Sequence, residues 1–252
     1  QYIMAGLLAQ ELEEAGFSVE QRLGMGSAVV YEAIRNGTVD VYVEYTGTVW
    51  ANFMSRESNP GRQGIRSGVV GFLEEQNVTT VGFTGFQNRY ALAMRRDRAL
   101  ELGVTSIEDL IPIAAELSAG SDLEFFGRTE WFRLRDLYNM DFADKLTFDV
   151  SLMYTAVAER QVDVISAYTT DGRVAAYDLL LLDDPRNALL AYDAMILASA
   201  NAAAQPKFMQ VLDTLVDSIP DEAMRQANRL VDVNGESITV ALEYLRGEMT
   251  KD

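Results

Sequence analysis

One fourteen-residue frame occurs twice in this chain, and it narrows the folds open to it. Ala33-Ile34, Val39-Asp40-Val41 and Tyr45-Thr46 recur without a gap as Ala156-Val157, Val162-Asp163-Val164 and Tyr168-Thr169. The offset is constant at 123 positions, about half of the 252 residues. Each copy reads as the end of a helix followed by a β-strand. A chain of this length makes one large domain or two lobes of ordinary size. A helix–strand unit repeated at half the length points to two α/β lobes. Packing dictates the apolar positions of such a unit, but not the Tyr-Thr pair just past the strand. In open α/β sheets that carboxyl end is where ligands bind.

The rest of the chain alternates in the same way. Residues 2–15 put Ile3, Leu7, Leu8 and Leu12 on one face, which predicts an amphipathic helix. Helices are also predicted over 28–35, capped by Ser27 and closed by Asn36-Gly37, and over 59–77. Ser106-Ile107-Glu108-Asp109 reads as a capped helix start, and the chain from Asn201 onward is mostly helical. Strands are predicted at Phe17–Glu20, Val39–Val43, Val78–Phe83 and Tyr90–Met94. Further strands are predicted at Leu123–Phe126, Leu146–Val150 and Leu179–Leu182. The alternation implies an α/β fold with largely parallel, covered sheets.

Composition removes most catalytic chemistry. The chain has no Cys and no His. It therefore has no disulfide, no thiolate nucleophile, no histidine-based triad and no imidazole or thiolate metal ligand. Twenty-one basic residues face 38 acidic ones, a net charge of −17, which repels nucleic acid and anionic membrane. No signal peptide or transmembrane run is visible. Gln1 to Leu8 already read as a helix in progress, so a natural N-terminus upstream of Gln1 is expected.

Few motifs carry chemistry. Gly24-Met25-Gly26-Ser27-Ala28-Val29 has two glycines of a dinucleotide fingerprint, but Val where the third belongs, and no P-loop Lys. It suits a tight turn or a helix end facing a ligand. Glu44 and Asp171 are carboxylates near strand ends. An acid–base pair would need both at a fixed separation, whereas a helix cap at Gly172-Arg173 would use Asp171 alone. Asp40 and Asp163, in apolar strands, suit local backbone bonds or strand starts. Four tyrosines stand out at element ends: Tyr45 and Tyr168 in the repeat, and Tyr90 and Tyr192 where the chain would cross between lobes. Tyr31, Tyr138, Tyr177 and Tyr244 lie at helical spacing and suit packing. Aromatic faces without a charged partner suit a quaternary ammonium group, which cannot donate a hydrogen bond and is held by ring quadrupoles. Separately buried tyrosines with satisfied hydroxyls are the alternative.

Several stretches carry a family resemblance. They are Gly24–Ser27, Glu32–Gly37 through Glu44-Tyr45-Thr46-Gly47-Thr48, and Gly85–Ala93. They continue with Ala167-Tyr168-Thr169-Thr170-Asp171-Gly172-Arg173, Leu181–Asp184 and Tyr192-Asp193-Ala194. Together they resemble the substrate-binding proteins of glycine betaine/choline ABC transporters, the osmoprotectant-uptake group with a type II periplasmic-binding-protein fold. The resemblance implies two lobes, 1–87 with 193–252 and 88–192, joined by two hinge crossings around a ligand cleft. It implies that Tyr45, Tyr90, Tyr168 and Tyr192 box a trimethylammonium head. Thr48 and Arg128 would approach the ligand's carboxylate or hydroxyl end. It implies no catalytic residue, no metal and no cofactor. The expected partners are the quaternary ammonium ligand and an ABC permease in the membrane, with no nucleic acid, for a monomer outside the cytoplasmic membrane, in the periplasm or on the extracellular face. The family usually begins with a strand and a Gly-Ser-Lys turn ahead of this helix. From the residues alone, a carboxylate-dependent hydrolase using the cleft and the sensing domain of a receptor remain as other readings.

Overall fold

The apolar face read in the first helix is buried: Ile3, Leu7, Leu8 and Leu12 all lie in the core beneath helix α1 (Tyr2–Glu14). The computed structural model describes residues 1–249; the side chain of Ser151 and residues 250–252 lie outside the described residues. After α1 come α2 (Ser27–Arg35), β1 (Val41–Tyr45), the single turn α3 (Thr46–Thr48), a π-turn at Val49–Phe53, α4 (Gly61–Glu75) and β2 (Val78–Gln87). The middle of the chain holds β3 (Tyr90–Arg95), α5 (Arg96–Leu102), α6 (Ile107–Leu110), β4 (Ser118–Ser121) and α7 (Thr129–Tyr138). It continues with β5 (Asp144–Thr147), α8 (Val150–Ala158), β6 (Val164–Tyr168), α9 (Gly172–Ala176) and β7 (Leu179–Leu181). Strand β8 (Asp193–Ser199) precedes α10 (Ala200–Ala203), α11 (Pro206–Asp213), α12 (Asp221–Asp232) and α13 (Ile238–Glu248). No helix among the described residues is long and apolar enough to cross a membrane.

The chain forms two compact units, Gln1–Asn88 with Ala191–Asp252, and Arg89–Leu190. The first is built on a three-stranded sheet in the order β1-β8-β2. Every residue of β8 is buried. Its Ile196 joins Leu7 of α1 and Leu212 of α11 in one core. The second unit has a five-stranded sheet in the order β5-β4-β6-β3-β7. One of its cores includes Leu92, Trp131 and Val164, and another includes Met153, Tyr154 and Ile165.

The two copies of the frame fold alike. Helix α2 and strand β1 match α8 and β6 residue for residue at the offset of 123. Even the turn matches. Gly37 has φ of +75° and Arg160, its counterpart, has +64°. An arginine is thus held in the left-handed region that glycine occupies freely in the other copy.

Several expectations are corrected. The sheets are not largely parallel: β1–β8, β2–β8, β3–β6 and β3–β7 pair antiparallel, and only β4–β5 and β4–β6 pair parallel. The reason is positional. Strands β3 and β8 are the first strands after the chain passes from one unit to the other, and each enters against the direction set by the helix–strand units. Phe17–Glu20 is not a strand, because no neighbouring strand completes a ladder with it. It instead lines a cavity of about 710 Å³ together with β1 and with Leu8 and Leu12 of α1. Leu123–Phe126 is not a strand either. The Asp122 Oδ1 atom accepts from the backbone N–H of Glu124 at 2.8 Å and of Phe125 at 2.9 Å, which curls the chain into a 3₁₀ turn at Phe125–Gly127. Strand β5 stops at Thr147, and Val150 opens α8. The cap of α2 is Gly26 rather than Ser27. Asp163 directly precedes β6, as the strand-start reading has it, but its bonds are not local: it accepts from the Ser118 N–H and Oγ at 3.0 Å each.

Candidate functional site

Antiparallel register explains how two of the tyrosines meet. Tyr90 opens β3, Tyr168 closes β6, and the ladder sets them directly opposite each other. Their ring centroids lie 4.9 Å apart with the planes tilted by 34°. Phe125 packs on Tyr90 at 5.0 Å. The two hydroxyl oxygens are 3.1 Å apart, and both donate to Asp122 Oδ2, at 3.0 Å from Tyr90 and 3.2 Å from Tyr168. Burial first, and then the hydroxyl contacts and the Asp122 charge, push the Tyr90 phenol up from its ordinary value. Burial also raises Tyr168. Both phenols therefore stay protonated at physiological pH and can donate to Asp122.

Arg128 stands at the N-cap of α7 and not at a strand end. Its guanidinium lies 5.6 Å from the Tyr90 ring centre. It is paired with Glu124 at 3.0 Å and with the buried Glu130 at 3.3 Å.

Tyr45, Thr48 and Tyr192 belong to the other unit. Tyr45 closes β1 opposite Ala194 of β8 and meets the Phe86 ring edge-on at 6.4 Å. The Asn88 side chain hydrogen-bonds its hydroxyl, and burial raises the phenol. The half-buried Tyr192 packs against Gly47, where a Cβ would fall 2.5 Å from the ring, so only glycine admits this approach. Thr48 hydrogen-bonds the Glu44 carboxyl. Glu44 is buried, accepts from the Tyr45 N–H at 2.7 Å, and is pushed up to about 7, chiefly by burial.

The threonine of each Tyr-Thr pair has a parallel job. Thr46 Oγ1 accepts from the Asp193 N–H at 2.9 Å and donates to the Ala191 carbonyl at 3.2 Å, so it grips the backbone on both sides of Tyr192. Thr169 exchanges two bonds with Arg89, the residue before Tyr90: its N–H donates to the Arg89 carbonyl at 3.0 Å and its Oγ1 accepts from the Arg89 N–H at 3.1 Å. In each copy the threonine holds the backbone beside a second tyrosine, Tyr192 in the first unit and Tyr90 in the second. Beyond Thr46, the anchor at Asp193 includes Arg62 and Arg66, whose guanidinium nitrogens lie 2.6 and 2.7 Å from its buried carboxylate.

Other candidates resolve as scaffold. Asp171 caps α9, accepting from the Arg173 N–H at 2.9 Å and holding the Arg173 guanidinium through both oxygens at 2.9 and 2.8 Å. Tyr138 is buried with its hydroxyl on Asp184 at 2.5 Å, and Tyr31 stacks on Phe53 at 4.2 Å. Among the described residues, no group of three or more acidic side chains could hold a metal ion. Asp122, Phe125, Phe86 and Asn88 were not anticipated from the sequence. Of these, Asp122 left a signal for its turn alone, as an Asp three residues before Phe125.

The comparisons with known proteins agree with one another. The family described as the substrate binding domain of ABC-type glycine betaine transport systems matches residues 1–247. A glycine-betaine-binding protein of Pseudomonas aeruginosa is 30% identical over 98% of this chain and 84% of its own length. The ergothioneine transport permease/ergothioneine binding protein EgtU of Helicobacter pylori is 28% identical over 92% of this chain. This chain spans only 43% of that relative. The crystal structure of a glycine betaine/carnitine/choline ABC transporter protein superposes with a TM-score of 0.87 at 24% identity, covering 96% of this chain and 92% of its own, which shows a shared two-lobed type II periplasmic-binding-protein fold. With nearly its whole length matched, the chain belongs to the family of substrate-binding domains of ABC-type glycine betaine transport systems.

Proposed function

We propose that this chain captures a small quaternary ammonium osmolyte outside the cytoplasm, as a monomer, and delivers it to a membrane permease. The observation that carries the ligand class is the Tyr90–Tyr168 pair, two neutral rings at strand ends with both hydroxyls turned onto one carboxylate. Glycine betaine, carnitine, choline and ergothioneine, the compounds named for the relatives above, all carry a trimethylammonium group. Such a group has no hydrogen to donate, so ring faces and dispersion hold it, each desolvated contact contributing about 0.5–2 kcal/mol. Tyr45 and Tyr192 supply further aromatic faces. Thr48 and Arg128 meet the polar end of the ligand, and Arg128 exchanges a glutamate for the ligand carboxylate when one is present. No covalent bond is made or broken in this function.

Calorimetric and fluorescence titration with glycine betaine, choline, carnitine and proline betaine tests the reading. Saturable binding of at least one is the expected result. An absence of both heat and fluorescence change with all four would overturn it.

A further inference from the structure

Asp122 is 4% exposed, and among the described residues no Arg or Lys forms an ion pair with it. A buried carboxylate without a cationic partner is costly unless hydrogen bonds or a bound cation offset it. Its two oxygens are used differently. Oδ1 accepts two backbone N–H groups, from Glu124 and Phe125, and that completes the turn. Oδ2 has no part in the turn and, among the described residues, receives only the hydroxyls of Tyr90 and Tyr168. A phenol that donates to a carboxylate gains electron density in its ring. A ring so polarised attracts a cation more strongly, and the effect is largest where water is excluded.

We propose that Asp122 sets the preference of the site for a cation, acting through the Tyr90 and Tyr168 rings, and serves as the anionic complement of the bound ammonium. It is a positioning and specificity-determining residue that acts without touching the ligand. The inference rests on the reading of Tyr90 and Tyr168 as part of a trimethylammonium site. Asp122→Asn separates its two tasks. The amide oxygen can still accept the two backbone N–H groups, while the amide NH₂ now faces the phenols and the charge is gone.

The test uses matched ligands that differ only in charge at the head: choline against 3,3-dimethylbutan-1-ol, and glycine betaine against 3,3-dimethylbutanoate. In Asp122→Asn, the affinity for the member with the ammonium head should fall by about tenfold, with its tert-butyl counterpart changed by no more than about twofold. An equal loss for both members would reduce Asp122 to the cap of a turn and overturn the inference. If the unaltered protein bound none of glycine betaine, choline, carnitine and proline betaine, the functional reading itself would fail, which is a separate result. Should Asp122→Asn not fold, the double variant Tyr90→Phe, Tyr168→Phe keeps both rings and removes their link to the carboxylate. It should lose the same cation preference, and retention of the preference would overturn the inference.

Discussion

Tyr45 and Tyr168 end the same frame in the two units, yet their surroundings differ in charge. Beside Tyr45 the frame holds Glu44, whose buried carboxyl is pushed up to about 7 and so is only partly ionised at neutral pH. At the equivalent place beside Tyr168 the frame holds Ala167. The carboxylate there is Asp122, which arrives from the end of β4 and takes the hydroxyls of Tyr168 and Tyr90 directly. Tyr45 instead has the neutral Asn88 at its hydroxyl. The repeated backbone therefore fixes where a phenol stands, and residues outside the shared positions decide how electron-rich it is.

Truncating each tyrosine should expose this difference in charge most strongly. Tyr168→Ala should weaken trimethylammonium binding by about 100-fold, because it deletes a ring and half of the hydroxyl support of Asp122. Tyr45→Ala should cost only about tenfold. Equal losses, measured by calorimetry, would mean that the two copies are electrostatically alike.

The folded protein holds the Glu44 proton more tightly than the unfolded chain does, since the pKa rises from 4.5 to about 7. The contribution of this group is therefore complete below about 4.5 and is lost as pH climbs toward 7, by on the order of 2–3 kcal/mol. Glu44→Gln cannot titrate, so the stability difference between it and the unaltered protein should change across that window and level off above it. A difference that stays constant from pH 5 to 8 in urea unfolding would show an ordinary carboxylate.

Gly47→Ala sharpens the first unit alone. The new methyl would meet the Tyr192 ring, so a loss of about 1–3 kcal/mol is expected from overpacking, together with weaker binding as the ring shifts. Asp171→Ala should have the smallest effect, about 1 kcal/mol from the lost cap of α9, with ligand affinity unchanged. A large affinity loss in that variant would give Asp171 a role beyond its cap.

Much of the fold could be read from residues whose pattern is local. The Ala/Val-Asp-Val/Tyr-Thr frame located two helix–strand units, although each strand starts at the second Val and takes in the Tyr expected just past it. Ser106 and Asp109 announced their capping box in sequence. What escaped depends on partners distant in the chain. Ala194-Met195-Ile196-Leu197-Ala198 is an apolar run that suits a helix as well as a strand, and only its position between β1 and β2 makes it β8. Sheet direction escaped for the same reason. In the candidate site, Tyr90 and Tyr168 were visible as separate end-of-strand tyrosines, but their pairing is a matter of register. Asp122 was hidden because its two oxygens face different partners, and spacing along a chain does not encode that.

The place of β8 in the first sheet also sets an order of events. Strands β1 and β2 are joined only through β8, which a ribosome reaches more than a hundred residues after it has made β2. The unit Arg89–Leu190, by contrast, is continuous in sequence and lacks nothing once Leu190 has emerged. Domains usually mature in the order of their synthesis. Here the chain that begins first finishes last: β1 and β2 wait as open edges until Asp193–Ser199 slides between them, by which time the tyrosine pair of the second unit can already be in place.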